Sequence, residues 1–235
     1  MKRTFFICAT ALTVAFVWAV TLCVQALFSP QAVFSAADET QAIAIDAGHG
    51  GMDGGVCGVK TGVKESDLNL EIALILKEQL QELGFKVLLT RKTKDGLYDT
   101  TKKGFKRRDM QKRKEILQQE NPSMIISLHQ NFYPTKSARG AQVFYSKKNE
   151  QSKILAFALQ EKLNALYAGE GVKARNCVFG ELFMLECLPV PSVLVECGFL
   201  SSEKDENLLV QTWWQKRLCQ SIVSGVLAYF SQSSC

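Results

Sequence analysis

Short apolar runs alternate with amphipathic segments from residue 42 onward, and this alternation constrains the fold more than any other feature of the chain. Residues 42–46 are apolar and end at a glycine-rich stretch, which reads as a strand entering a loop. Leu68, Leu70, Ile72, Ala73, Leu76 and Leu80 follow at helical spacing, with Ser66 and Asp67 placed before them as N-cap residues. Gly84 stops that helix and residues 85–90 form the next strand. A polar loop over 92–103 leads to a helix over 105–119, closed by Asn121 and Pro122. Residues 124–128, 142–145, 182–185 and 192–195 read as further strands, with helices over 152–166 and 213–230. Such alternation predicts an α/β domain built on a largely parallel sheet. In sheets of that kind functional groups gather in loops at the carboxyl ends of strands.

The first 37 residues stand apart. Lys2 and Arg3 precede an uncharged, mostly apolar run over 4–28, and Ser35, Ala36 and Ala37 suit signal-peptidase cleavage. The run is also long enough to span a bilayer. Residues 1–37 therefore read as a signal peptide or an N-terminal membrane anchor, with membrane contact confined to 4–28 in the second case. Positive charge ahead of the run places the domain over 38–235 outside the cytoplasm either way. About 200 residues form one domain, large enough to hold a core without a disulfide or metal. Six cysteines follow the apolar run, an even count that suits disulfides in an exported chain. None forms a CxxC pair and several sit in apolar strands, which favours free thiols. The net charge of +5 is modest. Lys102, Lys103, Lys106, Arg107, Arg108, Lys112, Arg113 and Lys114 cluster without any nucleic-acid-binding motif, so no nucleic-acid partner is expected. The cluster reads as a solvated helix face or as a surface that meets an anionic polymer.

The chain has two histidines, His49 and His129, and each follows an apolar run that reads as a strand. Two such strands in one parallel sheet would bring both imidazoles to the same edge. Two histidines and one carboxylate are a usual ligand set for a catalytic zinc with an open fourth position. A single histidine at a strand end is more often just a satisfied polar residue. The carboxylates near strand ends are Asp46, Glu65, Glu186 and Glu196. Glu65 reads either as a charge that favours a helix N-terminus or as a third ligand, swung towards His49 by the glycine loop. Glu196 interrupts an apolar strand, where a carboxylate is costly unless it is paired or functional, as a general base would be.

Four stretches resemble motifs of the zinc-dependent N-acetylmuramoyl-L-alanine amidases: IDAGHGGMDGG (45–55), KESDLNLEIA (64–73), ISLHQN (126–131) and PSVLVECGFLSS (191–202). The likeness runs from about Ile43 to Phe230. Two further stretches, over 103–113 and 181–196, resemble the germination-specific, spore-cortex type. Gln130, Phe132 and Cys197 depart from the family pattern without removing a ligand. The resemblance implies a single domain with a twisted, mostly parallel six-stranded sheet flanked by helices, of the phosphorylase/hydrolase-like kind. It implies one Zn²⁺ held by His49, Glu65 and His129, with Glu196 as the catalytic base. Asn131, Arg107 and Arg108 are candidate substrate contacts. The implied activity is hydrolysis of the amide between N-acetylmuramic acid and L-alanine in peptidoglycan, as the first step towards cortex muramic-δ-lactam. Expected partners are the glycan with its stem peptides, a deacetylase in the same pathway and an activating protein. A zinc carboxypeptidase or deacetylase on the same polymer is the alternative enzyme, and a non-catalytic wall-binding protein is the alternative from another class.

Overall fold

The structure, a computed structural model, describes residues 18, 42–99, 102–135 and 137–233. The apolar run over 4–28, Trp18 excepted, and Cys235 lie outside the described residues. Among the described residues no helix is long and apolar enough to cross a membrane.

Six strands form one sheet: β1 (Ala42–Ala47), β2 (Lys86–Leu89), β3 (Met124–Asn131), β4 (Gln142–Tyr145), β5 (Val178–Phe179) and β6 (Ser192–Phe199). Their order is β2-β1-β3-β6-β4-β5. All neighbouring pairs are parallel except β4 with β6. The mostly parallel six-stranded sheet expected from the sequence is therefore present. The helices are α1 (Glu65–Glu82), α2 (Phe105–Glu120), α3 (Glu150–Ala168), α4 (Phe183–Glu186), α5 (Glu203–Leu209) and α6 (Thr212–Ser233).

Every residue of β1 is buried, as expected of a central strand covered on both faces. Successive side chains alternate between those faces. Ala44 and Ile125 meet Leu117 of α2 and Met184 of α4 in one apolar cluster. Helix α1 lies against β1, β2 and β3, α3 lies against β4 and β6, and α6 packs on both helices. The end of α1 follows from Gly84, which takes φ 88°. Gly84 N donates to Gln81 O and Phe85 N to Leu80 O, a left-handed close that satisfies the last carbonyls.

Four local expectations need correction. Ser66 and Asp67 do not cap α1; the helix already starts at Glu65. Its first amides are taken by the glycine loop instead, Glu65 N donating to Val56 O and Ser66 N to Gly54 O. Residues 182–185 are not a strand. An apolar run so short is compatible with either element, and here it coils into the single turn α4, burying Met184 and Leu185. The neighbouring strand is β5, and α5 was not foreseen. The basic cluster is not simply a solvated face, because Arg113 is 1 % exposed. Finally, His129 lies within β3 rather than after it.

Candidate active site

Strands β1 and β3 are parallel neighbours, with Ala47 in register with Leu128. The two histidines therefore emerge at the same end of the sheet. Their rings sit edge to face with centroids 5.0 Å apart. Glu65 comes in from the start of α1. Its Oε1 lies 2.9 Å from His129 Nδ1 and 3.3 Å from His49 Nε2. One ligand atom from each of these three residues falls within 4.8 Å of the other two. The sequence expectation that these side chains converge is met by this geometry.

Local backbone makes the convergence possible. A side chain at Gly48 would run into the His129 ring, and one at Gly55, which has φ 68°, would run into the Glu65 carboxylate. Both glycines thus leave room for a ligand group. His49 itself has φ 60°, a left-handed conformation that costs a non-glycine residue about 1–2 kcal/mol. Two buried arginines hold the turn in that shape. Arg113 Nη2 donates to His49 O and Nη1 to Ala47 O, each at 2.7 Å. Arg91 donates to Ala47 O and Gly48 O. Neither arginine was singled out for this role from the sequence, since nothing in its neighbours reveals a contact with residues 47–49.

Glu65 is nearly fully buried and well satisfied. It accepts from Val56 N at 3.0 Å and from Gln130 N at 3.1 Å, besides the imidazoles. Burial alone would raise its pKa, but the His129 and His49 rings beside it hold it well below the usual carboxylate range. Glu65 is therefore a fixed anion between two imidazoles. Asn69 and Gln130 form a buried amide pair behind it, 3.1 Å apart. Gln130, a departure from the family pattern, thus supports Glu65 through both its backbone and its side chain.

Glu196 stands opposite His129 in the β3–β6 register. Its Oε2 is buried and has no hydrogen-bond partner among the described residues. Burial pushes its pKa up to about 7; the Glu65 charge adds to this, while His129 and His49 oppose it. A carboxyl group poised there can take up and release a proton at neutral pH, as a general base must. The other strand-end carboxylates are already engaged. Glu186 pairs with Lys148 at 2.6 Å and Ser146 at 3.0 Å. Asp46 binds Arg113, Ser127 and Thr90.

The three substrate candidates are placed differently. Asn131 closes β3 beside the site, and its carbonyl accepts from Leu200 N. Arg107 is exposed on α2. Arg108 turns back to the carbonyls of Lys102 and Lys103 and to Asp99. No contact between either arginine and the His–Glu–His cluster is seen. Besides Arg113, Lys106 of α2 reaches the site region, 2.8 Å from Asp53, whose other oxygen lies 2.9 Å from His49 Nδ1. Sequence reading placed Lys106 only in the basic cluster and gave Asp53 no role. The five described cysteines of the domain are free thiols.

The donor set suits a metal ion. Two imidazoles and one carboxylate converge, and an unpartnered buried carboxyl oxygen stands nearby, which is the arrangement of a catalytic zinc site with an open position. Fold and site together define an α/β enzyme with a metal-capable centre at the carboxyl edge of a mostly parallel sheet. The family model for N-acetylmuramoyl-L-alanine amidase matches residues 43–228, and the chain belongs to that family.

Its relatives agree. The germination-specific N-acetylmuramoyl-L-alanine amidase of Bacillus subtilis is 33% identical over 81% of this chain and 80% of its own length. The CwlD amidase of Clostridioides difficile, solved in complex with the GerS lipoprotein, is 34% identical. It superposes with a TM-score of 0.76 over 81% of this chain and 98% of that one. The amidase LytC of B. subtilis is 28% identical over 81% of this chain but only 36% of its own length.

Proposed function

We propose that this chain is a zinc-dependent amidase that releases stem peptides from muramic acid in the peptidoglycan of the spore cortex. The observation that carries the zinc reading is the meeting of His49, Glu65 and His129 beside the unpartnered Glu196 Oε2. A Zn²⁺ held by those three residues would supply the positive charge that acidifies a water molecule and stabilises a developing oxyanion. The protein's own part begins at Glu196. Its carboxylate takes a proton from the attacking water as the lactyl carbonyl of muramic acid is hydrolysed. The same group then delivers that proton to the departing amine of L-alanine. Burial suits this double role, because a pKa near neutrality allows both uptake and release. Glu65 stays anionic throughout, and the Arg113 and Arg91 contacts keep the His49 turn from relaxing.

The spore-cortex setting is supported by the germination-specific relative and by CwlD, the two similarities described above. CwlD was solved with a lipoprotein, which supports a protein partner for this chain too. Asn131, Arg107 and Arg108 remain the candidates for substrate contact. The charge and apolar pattern of residues 2–37 supports export.

Product analysis on isolated cortex and vegetative walls tests the whole reading. Free stem peptides with N-terminal alanine are expected, more from cortex, and a chelator should abolish their release. Release of terminal amino acids or of acetate instead would overturn the amidase assignment for this chain. Release that survives exhaustive chelation would overturn the zinc reading.

A further inference from the structure

We infer that Asp53 is a positioning residue that fixes the tautomer of His49, so that Nε2 offers a lone pair to the metal. The inference rests on the zinc reading above. Asp53 Oδ2 lies 2.9 Å from His49 Nδ1, and Glu65 faces the opposite ring nitrogen, Nε2. Neutral imidazole carries one hydrogen. Asp53, at 2.9 Å against 3.3 Å for Glu65, is the nearer carboxylate and keeps that hydrogen on Nδ1, which leaves Nε2 free to coordinate.

The carboxylate is itself held in place. Gly50 N donates to Asp53 O and Asp53 N donates back to Gly50 O, which closes the turn between His49 and Asp53. The 92–99 loop grips the same turn: Gly51 N donates to Lys94 O, Met52 N to the Tyr98 hydroxyl, and that hydroxyl to Gly50 O. Lys106 takes the second Asp53 oxygen at 2.8 Å. Asp53 is thus aimed at one nitrogen by its backbone and by two outside contacts.

The experiment uses the full chain with Asp53→Ala and Asp53→Asn. Zinc affinity is measured by chelator competition, and nitrogen NMR reads the histidine tautomers in the zinc-free protein. With two histidines in the chain the spectrum is simple to assign. Asp53→Ala should weaken zinc binding about 10- to 100-fold and let His49 sample both tautomers. Asp53→Asn keeps an oxygen that can accept from Nδ1–H, so it should restore the wild-type tautomer and much of the affinity. A merely structural role would not shift the tautomer or be rescued in this way. An unchanged tautomer in Asp53→Ala overturns the inference, as does an affinity within twofold of wild type. Wild type that takes up no zinc would overturn the metal reading, while the tautomer measurement still judges Asp53.

Discussion

At the residue scale, Glu196 carries the sharpest test of the proposed mechanism. Its register partner in β3 is His129, and its buried Oε2 has no hydrogen-bond partner among the described residues. A carboxylate placed so, with its pKa pushed up to about 7, is suited to proton transfer and poorly suited to structural duty. Glu196→Gln preserves shape and removes the proton acceptor. The variant should keep its zinc and lose about 10²- to 10⁴-fold in kcat. Metal content by atomic emission and peptide release on purified walls check this together. Normal turnover by a zinc-loaded, folded Gln variant would remove Glu196 from the base role.

At the scale of elements, helix α2 ties the basic cluster to the site. Arg113 reaches Asp46 at 2.7 Å and Asp109 at 2.6 Å while also holding the carbonyls of Ala47 and His49. Arg113→Ala would leave two acidic groups without their cation, Asp46 fully buried among them. Breaking a buried ion pair from one side costs about 3–5 kcal/mol. A matching drop in the urea midpoint is expected, and Lys should not rescue it, since an ammonium lacks the planar fork that serves four acceptors. The α3–α6 contact gives a second test. A Cβ on Gly225 would lie 2.8 Å from the Leu159 Cα, which is backbone and cannot swing aside. Alanine gains about 1 kcal/mol of helix propensity over glycine, but overpacking costs about 1–3 kcal/mol. Gly225→Ala should therefore lower the melting temperature, and a rise would show that the two helices can part without penalty.

For the molecule as a whole, Asp46 is an acid-sensitive junction. It joins β1 to Thr90 after β2, to Ser127 of β3 and to Arg113 of α2. Burial by itself would raise its pKa, but the Arg113 charge and these hydrogen bonds outweigh burial and hold it at about 2. A carboxyl group depressed on folding adds stability at pH values above the ordinary aspartate range, near about 4. That stability fades as pH falls and is gone once the pH has passed below about 2. Chemical unfolding of wild type followed between pH 5 and 2 should show this loss, whereas Asp46→Asn should be less stable at pH 5 and flatter across the window. Parallel pH curves for the two proteins would refute the assignment.

Much of this protein was legible in the amino-acid order because the relevant physics is local. Apolar runs and helical spacing follow from which faces must be buried, so the sheet, its main helices and the strand-end position of His49 could be read directly, whereas Glu196, like His129, lies inside its strand. The motifs likewise pointed to His49, Glu65 and His129, which the fold brings within reach of one another. Tertiary structure decided what depends on distant partners. The glycine loop, not Ser66 or Asp67, satisfies the start of α1; packing against the sheet turned 182–185 into a helical turn; and Arg113 left the solvated face of its cluster to clamp residues 47–49. Asp53 and Lys106 belong with these, because a hydrogen bond between them and an imidazole exists only after the 50–53 turn and α2 have met. Periodicity records which way a side chain faces, whereas its partner across space is set only when the chain has closed.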